Sequence, residues 1–534
     1  MVGSQHTENE ETASPRAGAA TIVVFVVLAG LLVAQARLLP LFDDEANMVL
    51  AAARPASEIL AHVFEPGGLE HPPLTELMLH AWLPVAGHRS LWLLRLPSVL
   101  LWLAALVALL WSVAPVTSRR QRLAIVTAVG LWPIHLTFPV AAGWYALQAA
   151  LGCAGLGFFL RDCDSGRPAS AWHTAGWVLC GALMAYATHA WPGLVAGWLI
   201  VAMVLGHRPG MAAGRGRFFI GWVTLFALAA PVAVSALRVS SAALSAWSLS
   251  RSDRALGAAV ALFAGESAPA NLIVLGVLAT ATAAAVAVIL WWSRSRLALA
   301  LVLGGMAPLA LLLFANALSD KRLILGTPLL LAGLGCALES LHGRSRGASV
   351  ALVAAALVLI AQLPAWSGLA EVSDHAWAFA RWQDPIDEVT AYHIAAPQPR
   401  VLAAINPALL LAAARWQGTP LVAAGGAVTS ASPLLRVRPA ARPAQLADAF
   451  DARRIGLPSS QSLTVDLVVQ AGEGRLVRLA NDTLTRLESK GWRQGSQRVF
   501  GFDPLASSRH GSPASASRYL LIRLTAGGLG AQPL

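Results

Sequence analysis

Leu41-Phe42-Asp43-Asp44-Glu45-Ala46-Asn47 stands directly after the first long apolar run of the chain, residues 20–36. Three consecutive carboxylates where a membrane span should be ending are costly unless they face water, a metal or a cationic partner. That makes them the first place to look for chemistry. The apolar run ends in Ala34-Gln35-Ala36, which resembles a signal-peptidase site, but the preceding residues include Glu8, Glu10 and Glu11 where a signal peptide would be basic. The run is therefore read as a retained span, with residues 1–18 as a disordered cytoplasmic tail.

Working outward, 56% of the 534 residues are hydrophobic and 13% are charged, and the mean hydropathy is +0.61. This is the composition of a polytopic membrane protein. The formal net charge of +11 is explained by Arg-rich loops held on the cytoplasmic side rather than by nucleic acid, since no basic run is interleaved with aromatics. Cys153, Cys163, Cys180 and Cys336 lie in or beside apolar spans without metal-ligand spacing and read as small core residues.

Further apolar runs lie near 91–115, 122–140, 143–160, 172–188, 190–206, 218–237, 269–292, 297–317, 323–341 and 348–364. The reading is an all-α membrane domain of about 11 spans over residues 19–365. Arginines gather in alternate loops, at Arg119, Arg120 and Arg122, at Arg161 and Arg167, at Arg208, Arg215 and Arg217, at Arg294 and Arg296, and at Arg344 and Arg346. With those loops inside, the N-terminus is cytoplasmic. The opposite face then receives the 40–90 loop, the turns near Val140 and His189, the 238–268 loop and Ser319-Asp320-Lys321-Arg322.

Within the first outer loop, Asp44 suits the cap of a helix running to Ala53, and Pro72-Pro73 suits the first turn of another running to Leu83. Past Trp366 the chain takes on the composition of a water-soluble domain, 366–534, placed outside by the odd span count. There, Arg400–Ile405, Leu421–Ala424, Leu463–Val469, Arg498–Phe502 and Tyr519–Leu524 read as strands. Asn406–Trp416, Pro443–Phe450 and Leu476–Gly491 read as helices, the last stopped by Gly491. The expectation is a small α/β domain, with no Cys, no Gly-rich phosphate loop and no clear catalytic cluster.

Most carboxylates of the membrane half lie in the first outer loop: Asp43, Asp44, Glu45, Glu58, Glu65, Glu70 and Glu76, alongside His62, His71 and His80. They serve a helix start, or they provide a base at the mouth of a membrane cavity that accepts a proton from an acceptor hydroxyl. His71 merely caps a Pro-initiated helix on the plainer reading, and Tyr186-Ala187-Thr188-His189 is an interfacial anchor. Lys321 and Arg322 are outer-face cations that either snorkel to headgroups or hold a lipid-linked phosphate, for which Arg offers bidentate geometry.

Taken together, Asp44-Glu45 after the first span, His71-Pro72-Pro73-Leu74, Leu94-Arg95-Leu96-Pro97-Ser98, Tyr186-Ala187-Thr188-His189 and Lys321-Arg322 with Pro328 resemble the polyprenyl-phosphate-sugar-dependent glycosyltransferases of the GT-C fold. The group is that of protein O-mannosyltransferases and lipid A aminoarabinose transferases, particularly its bacterial members, and the likeness covers roughly residues 20–340. The resemblance implies an inverting hexosyl or pentosyl transfer on the outer face of the plasma membrane, from a polyprenyl-phosphate sugar donor to a lipid, glycan or protein acceptor. It further implies Asp44 as base with Glu45 beside it. Asp43, His71, Tyr145, His189, Lys321 and Arg322 would be substrate-binding, with Arg322 facing the donor phosphate.

Relatives carry a Glu-Ala-Arg-x-Tyr pattern where this chain has Ala141-Ala142-Gly143-Trp144-Tyr145. Both charged positions are lost. The reading fixes no cofactor and leaves room for a divalent cation: Lys321, Arg322, or such a cation held by Asp43 and Glu45, would compensate. A catalytically silent relative that binds or scaffolds lipid-glycans is the alternative that the loss favours. A transporter is opposed by the lack of paired broken helices and inward-facing polar residues.

Overall fold

The structure is a computed structural model. It describes residues 15–38, 43–61, 72–86, 91–143, 145–164, 170–207, 215–243, 287–291, 293–315, 320–342, 388–395, 400–404, 409–410, 434–436, 443–452, 454, 461–470, 474–500 and 519–527. The helices of the first part are α1 (Pro15–Leu38), α2 (Asp43–Ala52), α3 (Ala56–Ala61), α4 (Pro73–Ala86), α5 (Leu91–Val113), α6 (Arg119–Gly130), α7 (Pro133–Thr137) and α8 (Tyr145–Cys163). They continue as α9 (Ala171–Ala185), α10 (Trp191–Val204), α11 (Arg215–Ala243), α12 (Arg296–Phe314) and α13 (Thr327–His342). The C-terminal part adds α14 (Pro443–Ala452) and α15 (Gly474–Ser489), with strands β1 (Arg400–Ala404), β2 (Leu434–Arg436), β3 (Ser462–Gln470), β4 (Arg493–Phe500) and β5 (Tyr519–Gly527).

Among the described residues four helices are long and apolar enough to cross a membrane: Ala19–Arg37, Trp92–Val116, Gly216–Val234 and Arg296–Phe314. Trp191–Val204 and Thr327–Leu341 are shorter apolar helices. The expected runs at 348–364 and, apart from 287–291, at 269–292 lie outside the described residues, as does most of the 238–268 loop. The run at 122–140 is not one helix. α6 stops at Gly130 and the chain restarts at Pro133 as the short α7, followed by a 3-10 turn, Phe138–Val140. The cause is local: proline has no N–H to donate and crowds the residue before it out of the helical region. The run at 323–341 likewise opens with a 3-10 turn, Asp320–Leu325, before Thr327 and Pro328 start α13.

Contacts divide the chain into two compact units, one of Met1–Leu38, Leu60–Thr75 and Arg95–Ala370, the other of Leu39–Ile59, Glu76–Leu94 and Glu371–Leu534. In the first, small residues let helices approach backbone to backbone, the usual means of holding helices together where lipid supplies no hydrophobic drive. A Cβ on Gly193 of α10 would lie 2.6 Å from Pro308 Cα of α12, and one on Gly197 would lie 2.5 Å from the Gly304 carbonyl oxygen. On its other side α12 meets α13, where a Cβ on Gly333 would lie 2.8 Å from the Ala298 oxygen. The pairs Gly193/Gly197 and Gly304/Pro308 are each four apart and so share one helix face. Fully buried Asp162 of α8 accepts from Thr174 Oγ1 at 3.0 Å and Trp177 Nε1 at 2.9 Å on α9, and pairs with Arg217 of α11 at 3.7 Å. A buried carboxylate is tolerable only when so partnered.

In the second unit the sheet runs β2-β1-β3-β5-β4, with β1 parallel to β2 and β3, and β5 antiparallel to β3 and β4. Alternate residues Val465, Leu467 and Val469 of β3 and Ile522, Leu524 and Ala526 of β5 pack with Leu446 and Phe450 of α14 and Leu484 and Leu487 of α15. The period of two thereby buries one sheet face. Gly491, at φ +83, follows α15 in the left-handed conformation expected of a helix-stopping glycine. The strand Leu421–Ala424 and, apart from 409–410, the helix Asn406–Trp416 lie outside the described residues. β2 is an addition that the sequence reading did not contain.

Candidate functional site

Asp43, Asp44 and Glu45 form the opening of α2. The expectation that Asp44 is the cap is corrected: Asp43 already belongs to the helix, and Asp44 follows within the first turn. The physical reason is that every free N–H of that turn, not the cap alone, favours negative charge, so an acidic tripeptide enters the helix as a block. Glu45 is buried, at 1% exposure, among Ala46, Met48, Val49 and Leu50. At the far end of α2 the Ala52 carbonyl accepts from His80 Nδ1 at 2.9 Å, which fastens α2 to α4. The side chains of Asp43, Asp44 and Lys321, and the whole of His71, lie outside the described residues.

The first unit brings several of the other candidate residues together. The Leu74 amide, just after Pro72-Pro73, donates to the Tyr186 carbonyl at 2.9 Å, so two of the separate sequence motifs meet. The next carbonyl along, Ala187, accepts from Gln148 Nε2 at 3.0 Å. Gln148 lies on α8 one turn beyond Tyr145, and both are buried. Gln148 is fully buried, yet among the described residues its Oε1 has no hydrogen-bond partner. Thr188 folds the turn by accepting from the Ala190 amide at 3.1 Å. His189 is exposed at its surface, yet desolvation by the surrounding protein, with the Arg322 charge adding to it, pushes its pKa down to about 4. The imidazole is then neutral at pH 7.

Arg322 is half-buried in the Asp320–Leu325 turn, and that turn is held from two sides. Gly326, its next residue, crosses Gly305 of α12 so closely that a Cβ on Gly305 would lie 2.5 Å from the Gly326 carbonyl oxygen. Thr327 follows, and its hydroxyl meets His135 Nε2 at 2.6 Å while His135 Nδ1 meets the Val129 carbonyl at 2.6 Å. A carbonyl can only accept, so Nδ1 carries the proton and Nε2 accepts from Thr327. Both contacts fix the backbone on which Arg322 stands.

Ala141 and Gly143, where charge is lost, are buried, with the Gly143 amide donating to the Ala141 carbonyl at 2.7 Å. Among the described residues no three His, Cys, Asp or Glu side chains gather as a metal site. Gln148, His135 and the Gly305–Gly326 crossing were missed by sequence reasoning. For Gln148 and His135 a signal was present, since each is a lone polar residue in an apolar run and so requires a partner. The glycine crossing joins positions far apart in the chain and leaves no local trace.

No protein-family model and no curated protein matches the sequence. Solved structures do. ArnT from Cupriavidus metallidurans bound to undecaprenyl phosphate superposes with a TM-score of 0.52 at 13% identity, covering 96% of this chain and 99% of that one. The same enzyme in the apo state gives 0.53 at 15% identity, covering 97% and 100%. The likeness extends over nearly the whole length of both chains, and what it shows is the fold: this chain has the GT-C fold that ArnT has.

Proposed function

We propose that this chain is an integral membrane glycosyltransferase that moves a sugar from a polyprenyl-phosphate carrier to a lipid, glycan or protein acceptor. The observation that carries the reading is the bond from the Leu74 amide to the Tyr186 carbonyl, which joins two of the segments that carry the resemblance, on a fold shared with ArnT. ArnT, the protein of similar fold, binds undecaprenyl phosphate. On this reading the reaction runs at the outer face of the plasma membrane, with the N-terminus cytoplasmic and the 366–534 domain outside.

The acceptor oxygen attacks the anomeric carbon while the bond from that carbon to the phosphate oxygen breaks, with inversion. Asp44 takes the acceptor proton, and the leaving polyprenyl phosphate keeps the electron pair. That phosphate needs no general acid, only cations, and a guanidinium suits it because its fork matches two phosphate oxygens. Arg322 supplies this, with Lys321 next to it. Neutral His189 and the unpartnered Gln148 Oε1 offer a donor or acceptor for sugar hydroxyls without adding charge. Glu45, Asp43, His71 and Tyr145 shape the substrate sites. The mechanism uses the chain's own cations and routes no step through a metal.

A silent lipid-glycan-binding relative is the second reading, favoured by the buried, uncharged Ala141 and Gly143. Asp44→Asn separates the two. The exchange keeps volume and costs only the first-turn dipole interaction, about 0.3–1 kcal/mol. It removes the base, worth on the order of 10²–10⁴ in rate. Transfer from a panel of polyprenyl-phosphate sugars should fall at least about a hundredfold, the low end of that range, while the protein remains folded. If wild type, Asp44→Asn and a deletion strain give indistinguishable glycan profiles with the protein expressed, the enzyme reading fails and the scaffold reading replaces it.

A further inference from the structure

The sheet of the C-terminal domain buries one face under α14 and α15; its other face carries an arrangement that neither packing nor the transfer reaction uses. Asp466 of β3, fully buried, accepts from Arg523 of β5 through Nε at 2.8 Å and Nη2 at 3.2 Å, and from His393 Nδ1 at 3.0 Å. These bonds fix the Arg523 guanidinium in one orientation, with its remaining Nη1 at 3.4 Å from the Tyr392 hydroxyl. Arg498 of β4 stands over the same ring from elsewhere, its Cζ 4.8 Å from the Tyr392 centroid and 5.2 Å from that of Phe500. Arg523 Cζ is 5.0 Å from the Tyr392 centroid. One phenol therefore lies between two guanidinium groups.

Register explains how they converge. Arg498 pairs with Leu521 and Arg493 with Thr525, which places both arginines on the Arg523 face of the sheet. A bulge between Gln494 and Gln497 interrupts that pairing, and Ser496 inside it hydrogen-bonds the Tyr392 hydroxyl. Bulges commonly re-aim a side chain in this way. β4 is the sheet's edge strand, and everything on it from Arg493 to Val499 is exposed. Among the described residues no carboxylate pairs with Arg498. Asp466 is consumed by Arg523 and His393. Arg523 already has its charge met by Asp466, so the uncompensated cation at this open edge is Arg498. An anion seated on Arg498, within reach of the Tyr392 hydroxyl, would supply the missing countercharge.

We propose that Tyr392, Ser496, Arg498 and Arg523 form a binding site for a phosphate-type oxyanion on the C-terminal domain. Arg498 supplies an uncommitted fork for two oxygens, Ser496 and Tyr392 supply hydroxyls, and Arg523 supplies charge in a fixed place. The chemistry is that of an inorganic phosphate or of a phospholipid headgroup. The site is independent of the transferase reading and would stand if that reading fell.

The phenol reports on its own occupancy. The Ser496 hydrogen bond, with the two arginines assisting, holds the Tyr392 pKa below the ordinary phenol value, and an anion neutralising those arginines should raise it. The full-length protein in nanodiscs of neutral lipid is titrated by phenolate absorbance, with and without inorganic phosphate. Subtracting Tyr392→Phe isolates Tyr392 from the other three of the chain's four tyrosines. Phosphate should move the Tyr392 transition to higher pH. Arg498→Gln should abolish that movement and weaken phosphate binding, followed by ³¹P line broadening, at least about tenfold, as loss of a hydrogen bond from a charged group does. Arg322→Gln should leave both readouts unchanged, which separates this site from donor binding in the membrane half. Nanodiscs containing phosphatidylglycerol form a second arm: a shift there without added phosphate assigns the site to a headgroup, and a shift only with phosphate assigns it to the soluble ion. A Tyr392 transition that moves in neither arm, or binding retained by Arg498→Gln, overturns the proposal.

Discussion

The crossing of Gly305 with Gly326 predicts that one added methyl group will part α12 from α13. In Gly305→Ala the new Cβ would stand 2.5 Å from the Gly326 carbonyl oxygen, 2.9 Å from the Leu330 amide nitrogen and 3.0 Å from Leu330 Cγ. A relaxed carbon–oxygen contact is about 3.3–3.6 Å, so the backbones must separate by about 1 Å, and two of the three obstructing atoms are main chain with no rotamer to change. Overpacking of this kind costs about 1–3 kcal/mol. Against it, alanine gains about 1 kcal/mol over glycine as a helix residue, which would mask the effect in a single measurement. Gly30→Ala in α1 removes that ambiguity, because a Cβ there meets nothing within 4 Å; it has the propensity gain without the clash. The difference between the two variants should then be the overpacking alone, about 1–3 kcal/mol. The assay is unfolding in mixed micelles of rising SDS content, followed by tryptophan fluorescence. Equal midpoints for Gly305→Ala and Gly30→Ala would refute the close crossing. With the crossing opened, Arg322 also moves, so on the proposed mechanism Gly305→Ala should raise the donor KM more than it changes kcat.

An ammonium does not reproduce a bidentate fork, so Arg322→Lys should weaken donor use while leaving the SDS midpoint unchanged; unaltered donor dependence would assign Arg322 to the headgroup region. His189, held near pKa 4 against about 6.5 when unfolded, binds no proton in the native state until the pH nears the lower value. Stability linked to it is therefore intact above about pH 6.5 and falls as the pH drops toward 4, so wild type should lose more of its midpoint between pH 7 and pH 5 than His189→Gln does. Reporter fusions at Arg120, Arg208 and Arg346 should read cytoplasmic and one after Trp366 exported; a cytoplasmic C-terminal domain would make the proposed span count wrong by one.

The long apolar helices were legible because hydropathy averages over many residues and needs no partner. That averaging hid the break at Leu131–Pro133 and the 3-10 turn at Asp320–Leu325, where one proline or one turn changes the backbone without changing composition. In the C-terminal domain β1, β3 and β5 and the helices α14 and α15 were readable from their alternation and from Gly491, whereas the helical residues 388–394 were not. β2, three residues long, was not, nor was the strand order, which depends on contacts between distant segments. The same division runs through the site. Tyr186–His189 and Lys321–Arg322 stood out as polar groups at apolar run ends, whereas Gln148, His135 and Gly305 act through single bonds or a single crossing to residues far along the chain.

The uncharged pair at Ala141 and Gly143 is better understood as one change than as two. In the family this chain resembles, those positions carry Glu and Arg, and here both are buried. Deleting one member of a buried ion pair strands the other and is strongly destabilising, whereas replacing both with small apolar residues is often neutral. A chain with neither charge therefore holds its fold here at little cost, and the Gly143 amide closes onto the Ala141 carbonyl at 2.7 Å. On the proposed function, what this uncharged segment lacks is charge for the donor phosphate, which leaves more for Arg322 to supply. The backbone that carries Arg322 is held firmly: its turn is pressed against α12 at Gly305 and is tied, through Thr327, to His135 of α7 by a bond of 2.6 Å. If the pair at 141 and 143 had been the anchor of the fold rather than a source of charge, its loss would have loosened the segment instead, and Ala142, Tyr145 and Gln148 would not be as fully buried as they are.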